Sequence, residues 1–273
     1  MISLIPIRAF RVPIDAGRIS PDEFADKSLE EIRDLEAWEG NRKTRLGELF
    51  KIDGEKTVKK EDLVIQVSGD LGKVRRIGTG MSAGKIIIEG DVGNHLGEEM
   101  AGGVITVNGE VGSWTGSMMR NGMIEIQGDA GDYVGAAYRG SVEGMKGGVI
   151  MIHGNAGNEV GCFMRGGLIK VYGSVDQFAG IHMRQGTIFI RGNSGSRLGA
   201  EMIKGKIVVS GSVPSILPTF SADSVSRRTR VDGEEVVGPF YTFVGDLAEN
   251  GEGRLFVSQA SNPHLKAYEK FIG

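Results

Sequence analysis

The residue types able to do chemistry in this 273-residue chain are four histidines, one cysteine, a recurring methionine and many glycine-rich turns. A metal site needs several ligands converging on one point, and in a chain built of repeats they would recur at matching positions of neighbouring units. His95, His153, His182 and His264 fall at unrelated positions, so they read as ordinary surface histidines. Cys162 would act as a nucleophile only beside a base, and its place in the repeat reads as a turn. Paired carboxylates for acid and base work are also missing, because Glu125 lines up with Ile87, Thr106, Met151 and Lys170 rather than with other acids. Met81, Met100, Met119, Met145, Met164, Met183 and Met202 recur at one position. Thioethers bind soft metals, but this unbranched side chain also fills gaps in a core, and the other repeated positions all behave as core. Gly78-Thr79-Gly80 and the other glycine fragments do not open a helix, as a phosphate-binding loop would. The sequence therefore predicts no catalytic, cofactor-binding or metal-binding residue on this chain.

What positions these residues is a repeat running from Gly84 to Val213. Its units open at Gly84, Gly103, Gly122, Gly148, Gly167, Gly186 and Gly205, a step of 19 residues except for 26 between Gly122 and Gly148. The third position is always isoleucine (Ile86, Ile105, Ile124, Ile150, Ile169, Ile188, Ile207), and the fifth is Ile or Val, with unconstrained residues between. A period of two marks a short β-strand with one face in and one out. Like residues at like positions imply that the units stack, side chain on side chain, roughly 4.8 Å apart. The expected fold is all-β, a parallel β-helix of about seven to eight coils, right-handed because crossovers between parallel strands favour that hand. The missing LxxLxL pattern argues against a leucine-rich repeat, and a period that is no multiple of six argues against a left-handed hexapeptide helix.

Within the units GxxGxxxG recurs as Gly90, Gly93 and Gly97, as Gly109, Gly112 and Gly116, as Gly128, Gly131 and Gly135, as Gly154, Gly157 and Gly161, and as Gly192, Gly195 and Gly199. A residue with a Cβ loses about 1–2 kcal/mol at positive φ, so these glycines are expected to be the structural corners of each coil. One unit has Asp176 between Gly173 and Gly180, and Asp enters the left-handed region more easily than most residues.

The flanks divide the chain into an N-terminal arm and helical cap (residues 1–62), the repeat (63–213) and a C-terminal extension (214–273). Ser20 before Pro21 and Glu23, and Ser28 before Glu31, fit capping boxes, with Leu29, Ile32 and Leu35 on an inner helix face. Pro214 and Pro218 stop the repeat, the polar stretch from Ser221 to Glu235 reads as a loop, and Phe240 to Val244 and Arg254 to Ser258 read as two last strands before a short helix from His264 to Ile272. The surplus of the long unit is placed at Arg139 to Lys146, with Gly140 to Gly144 at its tip. Insertions in stacked repeats project as loops and often bind partners, so Arg139, Gly140, Ser141, Val142 and Glu143 are candidate interface residues. Phe240, Tyr241 and Phe243 join them, because an apolar terminal pair either seals the last unit or reaches into another subunit.

Composition narrows the setting. A formal charge of -3 leaves no basic footprint for nucleic acid, and no run of about 18 apolar residues exists to cross a membrane. Met1 to Phe10 lacks the apolar core and small-residue cleavage site of a secretory signal, and one cysteine forms no intrachain disulfide, so the cytoplasm is the expected location. Glycine, at 44 residues, is about twice its usual share without the every-third spacing of collagen.

These motifs carry a resemblance. GxxGxxxG on this step, preceded by Ile-x-Ile or Ile-x-Val and followed by Met, resembles the carboxy-terminal β-helix domain of glutamate synthase (the GXGXG superfamily) and, more closely, the C subunit of formylmethanofuran dehydrogenase. The closer likeness also takes in SPDEFADKSLEEI from Ser20 to Ile32, Gly47-Glu48-Leu49-Phe50, the Gly140 to Gly148 insertion and Pro218-Thr219-Phe220, and so nearly the whole chain. What it implies is a scaffold subunit of the oxidoreductase complex that, in methanogenic and related archaea, reduces carbon dioxide to formate and fixes it on methanofuran, the first step of methanogenesis. In that family the tungsten or molybdenum pterin, the iron–sulfur clusters and the zinc-type amidohydrolase centre belong to other subunits, which are the implied partners. A lone cysteine agrees, since it cannot hold an iron–sulfur cluster by itself. The bacterial formyltransferase/hydrolase complex has a similar C subunit and is an alternative; a β-helical enzyme acting on a sugar or acyl group is another.

Overall fold

The structure, a computed structural model, describes residues 1–272. The alternating residues of the repeat form the strands Val64–Ser68, Lys85–Glu89, Val104–Val107, Met123–Ile126, Val149–Ile152, Arg165–Val171, Gln185–Ile190 and Lys206–Val209. They lie side by side, in chain order and parallel, as the middle of one 13-stranded sheet. Their register is that of the repeat: Ile86 pairs with Ile105, Ile105 with Ile124, Ile124 with Ile150, Ile150 with Ile169, and so on to Ile207. The long unit keeps this register, so its surplus lies wholly outside the strand. A second file of single parallel bridges joins Leu71, Val92, Val111, Ala130, Ala156, Val175 and Ser194, so successive units meet at two places.

Side chains at the third and fifth positions are fully buried, as is every methionine of the stripe. Each such side chain contributes about 1.5–3 kcal/mol by leaving water. The methionine also explains the glycine that opens a unit. At Gly122, with φ 95°, an added Cβ would come 2.8 Å from the Met100 methyl.

The corner glycines separate into two kinds. Gly97, Gly116, Gly135, Gly161 and Gly199 have φ between 62° and 69°, the conformation that favours a missing Cβ. The first and middle glycines, Gly90 excepted, do not have positive φ. They are small because successive backbones nearly touch: a Cβ on Gly128 would sit 2.7 Å from the Gly109 carbonyl oxygen. Asp176 is not left-handed either, so ease of entering that region does not account for its presence.

At the N-terminal end, strand Ile2–Pro6 pairs in parallel with Val64–Ser68 and antiparallel with the edge strand Phe50–Gly54. Ser20 Oγ accepts from the Glu23 amide to start helix Pro21–Phe24, and Ser28 and Glu31 form a full capping box on helix Leu29–Arg33. Ile32 is buried, with Leu29 and Leu35 packed on the core. The chain then returns as Glu36–Glu39 and Arg42–Arg45, in a small sheet with Ile14–Asp15 and Val74–Arg75.

The C-terminal extension departs from expectation. The stretch from Ser221 is not a loop: Ser221–Val231 is a strand that pairs antiparallel with Glu234–Gly245 as a long hairpin, here called the arm. Its two register shifts and its alternation of Ser with Asp and Arg hide the period of two, since neither face of its first half is apolar. Gly253–Ser258 takes the next rung of the parallel stack, pairing Leu255 with Ile207. A 3-10 stretch, Pro263–Phe271, follows. Among the described residues no helix is long and apolar enough to cross a membrane.

Candidate functional site

Position twelve of the first six units is left-handed although it is not glycine: His95, Trp114, Tyr133, Glu159, Phe178 and Arg197 have φ between 57° and 65°. An isolated residue of this kind would signal local strain. Recurrence in six successive units makes it a property of the corner instead, and the gain is visible in hydrogen bonds. The amides of His95, Trp114, Tyr133 and Phe178 donate to the carbonyls of Ser113, Asp132, Asn158 and Ser196 in the following unit. Their side chains therefore leave the same corner in single file. The His95 and Trp114 rings stack at 5.3 Å and 4° from parallel, and the Trp114 and Tyr133 rings at 4.6 Å and 11°.

The insertion rises beside this ladder. The Met145 amide donates to the Gly135 carbonyl as that of Met119 does to Gly116, so the stack resumes at Met145 and the surplus residues are Tyr138 to Gly144. The sequence placed it slightly late because Tyr138 stands where the methionine was due. Tyr138, 45% exposed, tilts over His95 and Trp114 at 5.7 and 6.4 Å, and the Arg139 guanidinium lies 5.6 Å above the Trp114 ring. Gly140, with φ 85°, turns in open space, and the Ser141 hydroxyl accepts from the Glu143 amide. Val142 is half exposed, and its carbonyl accepts from Arg165 Nε. Glu143 pairs with Lys146 at 2.6 Å and Arg165 at 3.4 Å; the Lys146 hydrogen bond foremost holds its carboxyl below the usual range. The ladder and insertion enclose a hollow of about 240 Å³ lined by Trp114, Tyr133, Tyr138, Arg139, Glu159 and Cys162.

Of the residues predicted for an interface, Arg139 to Glu143 stand at this corner. Phe240, Tyr241 and Phe243 do not. They are buried within the chain at 1%, 2% and 0% exposure, where Phe240 packs on Phe256 and Tyr241 donates its hydroxyl to Glu269, so they serve the core and offer no surface. Trp114, Tyr133 and Tyr138 were not singled out in the sequence. The available signal was that rings recur at position twelve, and it was masked because Glu159 and Arg197 share that position.

Most of the groups with chemical potential are held by neighbours, although His95 Nδ1 and Glu98 Oε2 are buried without an aligned hydrogen bond. Burial first, and Glu159 second, push the Cys162 thiol up to about 12, so it stays protonated at neutral pH. His95, His153 and His182 are not simply solvated; they stack on Trp114, Tyr172 and Phe163, and each lies near a carboxylate, Glu98, Glu125 and Glu201. Burial alone would raise the pKa of Glu98, but His95 and the Arg76 guanidinium, 2.9 Å from its Oε2, hold it below the usual range. Among the described residues no three His, Cys, Asp or Glu side chains converge as metal ligands would. The corner offers stacking surface, ring-edge donors and a guanidinium, which suits contact with another molecule.

No protein-family model matches the chain. It is similar, at 58% identity over 266 residues covering 97% of it and 98% of the relative, to the C subunit of the tungsten-containing formylmethanofuran dehydrogenase 2 of Methanothermobacter thermautotrophicus. The C subunit of the molybdenum-containing formylmethanofuran dehydrogenase 1 of Methanothermobacter marburgensis is 47% identical over 94 residues, a match spanning 34% of this chain and only 23% of that relative. Among solved structures, a chain in the crystal structure of the formyltransferase/hydrolase complex from Methylorubrum extorquens with methylofuran superposes with a TM-score of 0.80 at 30% identity, over 94% of this chain and 99% of that one.

Proposed function

The chain belongs to the family of formylmethanofuran dehydrogenase C subunits, and from that premise we propose that it is the assembly subunit of such a complex, which reduces carbon dioxide to formate and forms formylmethanofuran. The observation that carries this reading is the end-to-end likeness to one such subunit, over 97% of one chain and 98% of the other. Such coverage includes both flanks and the insertion, the parts through which a scaffold meets its partners. The site chemistry supports it: Cys162 is protonated, three of the four histidines are stacked on rings, and Glu143 of the insertion is paired with Lys146 and Arg165.

In this reading the stacked units close as a right-handed parallel β-helix. Pairing at two places per unit supports closure, and the strong preference of parallel crossovers supports the hand. Residues 1–62 act as its cap, 63–213 as the helix and 214–273 as the extension. The tungsten or molybdenum pterin, the iron–sulfur clusters and zinc sit on partner subunits, and the corner of Tyr138 to Glu143 is one contact with them. Likeness to a chain of the bacterial formyltransferase/hydrolase complex fits the same structural role, because the scaffold is shared where the chemistry differs.

The test is to purify the full chain alone and with its partner subunits. Alone it should convert no formylmethanofuran and carry no stoichiometric tungsten, molybdenum, iron or zinc, whereas co-expressed it should co-purify with the pterin-bearing subunit. Turnover by the isolated chain would overturn the reading.

A further inference from the structure

The file of position twelve runs His95, Trp114, Tyr133, Glu159, Phe178 and Arg197, so a carboxylate stands where both its neighbours in the file are rings. Glu159 is half-buried and lines the hollow of about 240 Å³ together with Trp114, Tyr133, Tyr138 and Cys162. Burial first, and the Glu159 charge next, raise the pKa of the Tyr133 phenol and of the Cys162 thiol, so the carboxylate acts on both sides of the hollow. Ion pairs of nearby carboxylates join Glu99 to Arg120 and Glu143 to Lys146 and Arg165, whereas among the described residues none joins Glu159. Two rings of the file already carry guanidinium groups of this chain, Arg139 at 5.6 Å above Trp114 and Arg197 at 5.1 Å above Phe178. The hollow therefore combines ring faces with one negative charge that has no cation to answer it.

We propose that this hollow receives one arginine side chain of a partner subunit, its guanidinium on the Glu159 carboxylate and its stem against the Tyr133 and Tyr138 rings. The proposal rests on the assembly reading above and names the chemistry of the contact at the insertion. Charge decides the sign of the occupant. A half-buried carboxylate gains from a fixed cation, and it is penalised by an acid or by an apolar group that strips its water without replacing it. Shape decides between Arg and Lys, since a planar guanidinium stacks on ring faces while its edge donates to a carboxylate, and both cations above the rings of the file are arginines. Size decides against a free small molecule: pockets for such ligands span about 300–1,000 Å³, and about 240 Å³ suits a single side chain.

Retention of the co-expressed full chain on its partner subunits, measured over a salt series, tests this. Glu159→Gln keeps the shape and an acceptor oxygen but loses the charge. It should weaken retention about tenfold at low salt and flatten the salt dependence, with the melting temperature of the free chain unchanged. The same loss should appear when Arg139 is already alanine; a loss that vanishes in that background would show that Glu159 serves the chain's own guanidinium, and would overturn the proposal. Retention of Glu159→Gln equal to that of wild type, or a loss with the salt dependence intact, would also overturn it while leaving the assembly reading standing. Self-association of the free chain that Glu159→Gln abolishes would overturn it in favour of a second copy. A wild-type chain that enters no complex would overturn the assembly reading and this proposal with it.

Discussion

Trp114 and Tyr133 stand one unit apart in the chain, and their rings lie 4.6 Å apart and 11° from parallel. Stacking of this kind adds about 0.5–1.5 kcal/mol per ring pair beyond simple burial. Trp114 has a ring on each face, so Trp114→Ala should lower stability by about 2–3 kcal/mol and Trp114→Phe by about 1 kcal/mol or less. Urea unfolding followed by circular dichroism measures both; equal losses for the two would show that ring stacking is not what the position supplies.

The two kinds of corner glycine give a direct comparison. Gly135 has φ 65°, and a Cβ there would meet the Ile169 methyl at 2.6 Å, so Gly135→Val combines backbone strain with overpacking and should cost about 3–5 kcal/mol. Asp132 accepts hydrogen bonds from the Asn158 amide and side chain, so Asp132→Val should also destabilise, by about 1–2 kcal/mol. Thermal melts that move by the same amount for both would contradict the assignment of Gly135 as a corner.

How much of this was legible in the sequence depended on whether a position repeats one chemistry. Ile86 and its counterparts are identical in every unit, and so the strands, their register and the stacked core followed from spacing alone. Position twelve changes from imidazole to indole, phenol, carboxylate and guanidinium, and its common feature, a left-handed backbone, has no letter in the sequence. The glycines were legible as turns, yet more than half of the fifteen at the corners are there because backbones touch, a relation between units that no single unit reveals. Of the arm, Phe240 to Val244 reads as a strand from the sequence, but Ser221–Val231 does not, because a strand with a polar outer half has no apolar alternation to betray it.

Asp22 links the cap to the first rungs, accepting from Lys60 at 2.8 Å and from the amide and hydroxyl of Ser82 at 2.7 and 2.6 Å. Burial would raise its pKa, but these hydrogen bonds prevail and leave it lowered. A carboxyl depressed in the folded state lends stability that is present above its unfolded pKa and is lost as pH falls through its folded one. Asp22→Asn should therefore cost about 1–2 kcal/mol at neutral pH, with the gap from wild type closing below about pH 4. A gap that persists unchanged at low pH would exclude the charge as its source.

Lys170 is 7% exposed, and its ammonium answers to Asp232 on the arm. Burial works against the charged form, and the Asp232 contact outweighs it, leaving the pKa raised. Asp232→Ala should thus loosen the arm and speed amide exchange in Ser221–Val231 and the first half of Glu234–Gly245 about tenfold, while Met123–Ile126 is unchanged. Uniform acceleration across the sheet would mean that the arm and stack open as one unit.

In the assembly reading this chain holds a complex together. The most direct measurement is the native mass of the formylmethanofuran dehydrogenase assembly purified with and without it. With the chain present, one species containing it and the catalytic subunits is expected, and without it those subunits should run as smaller separate species. Catalytic subunits that co-migrate at full stoichiometry in its absence would contradict an assembly role.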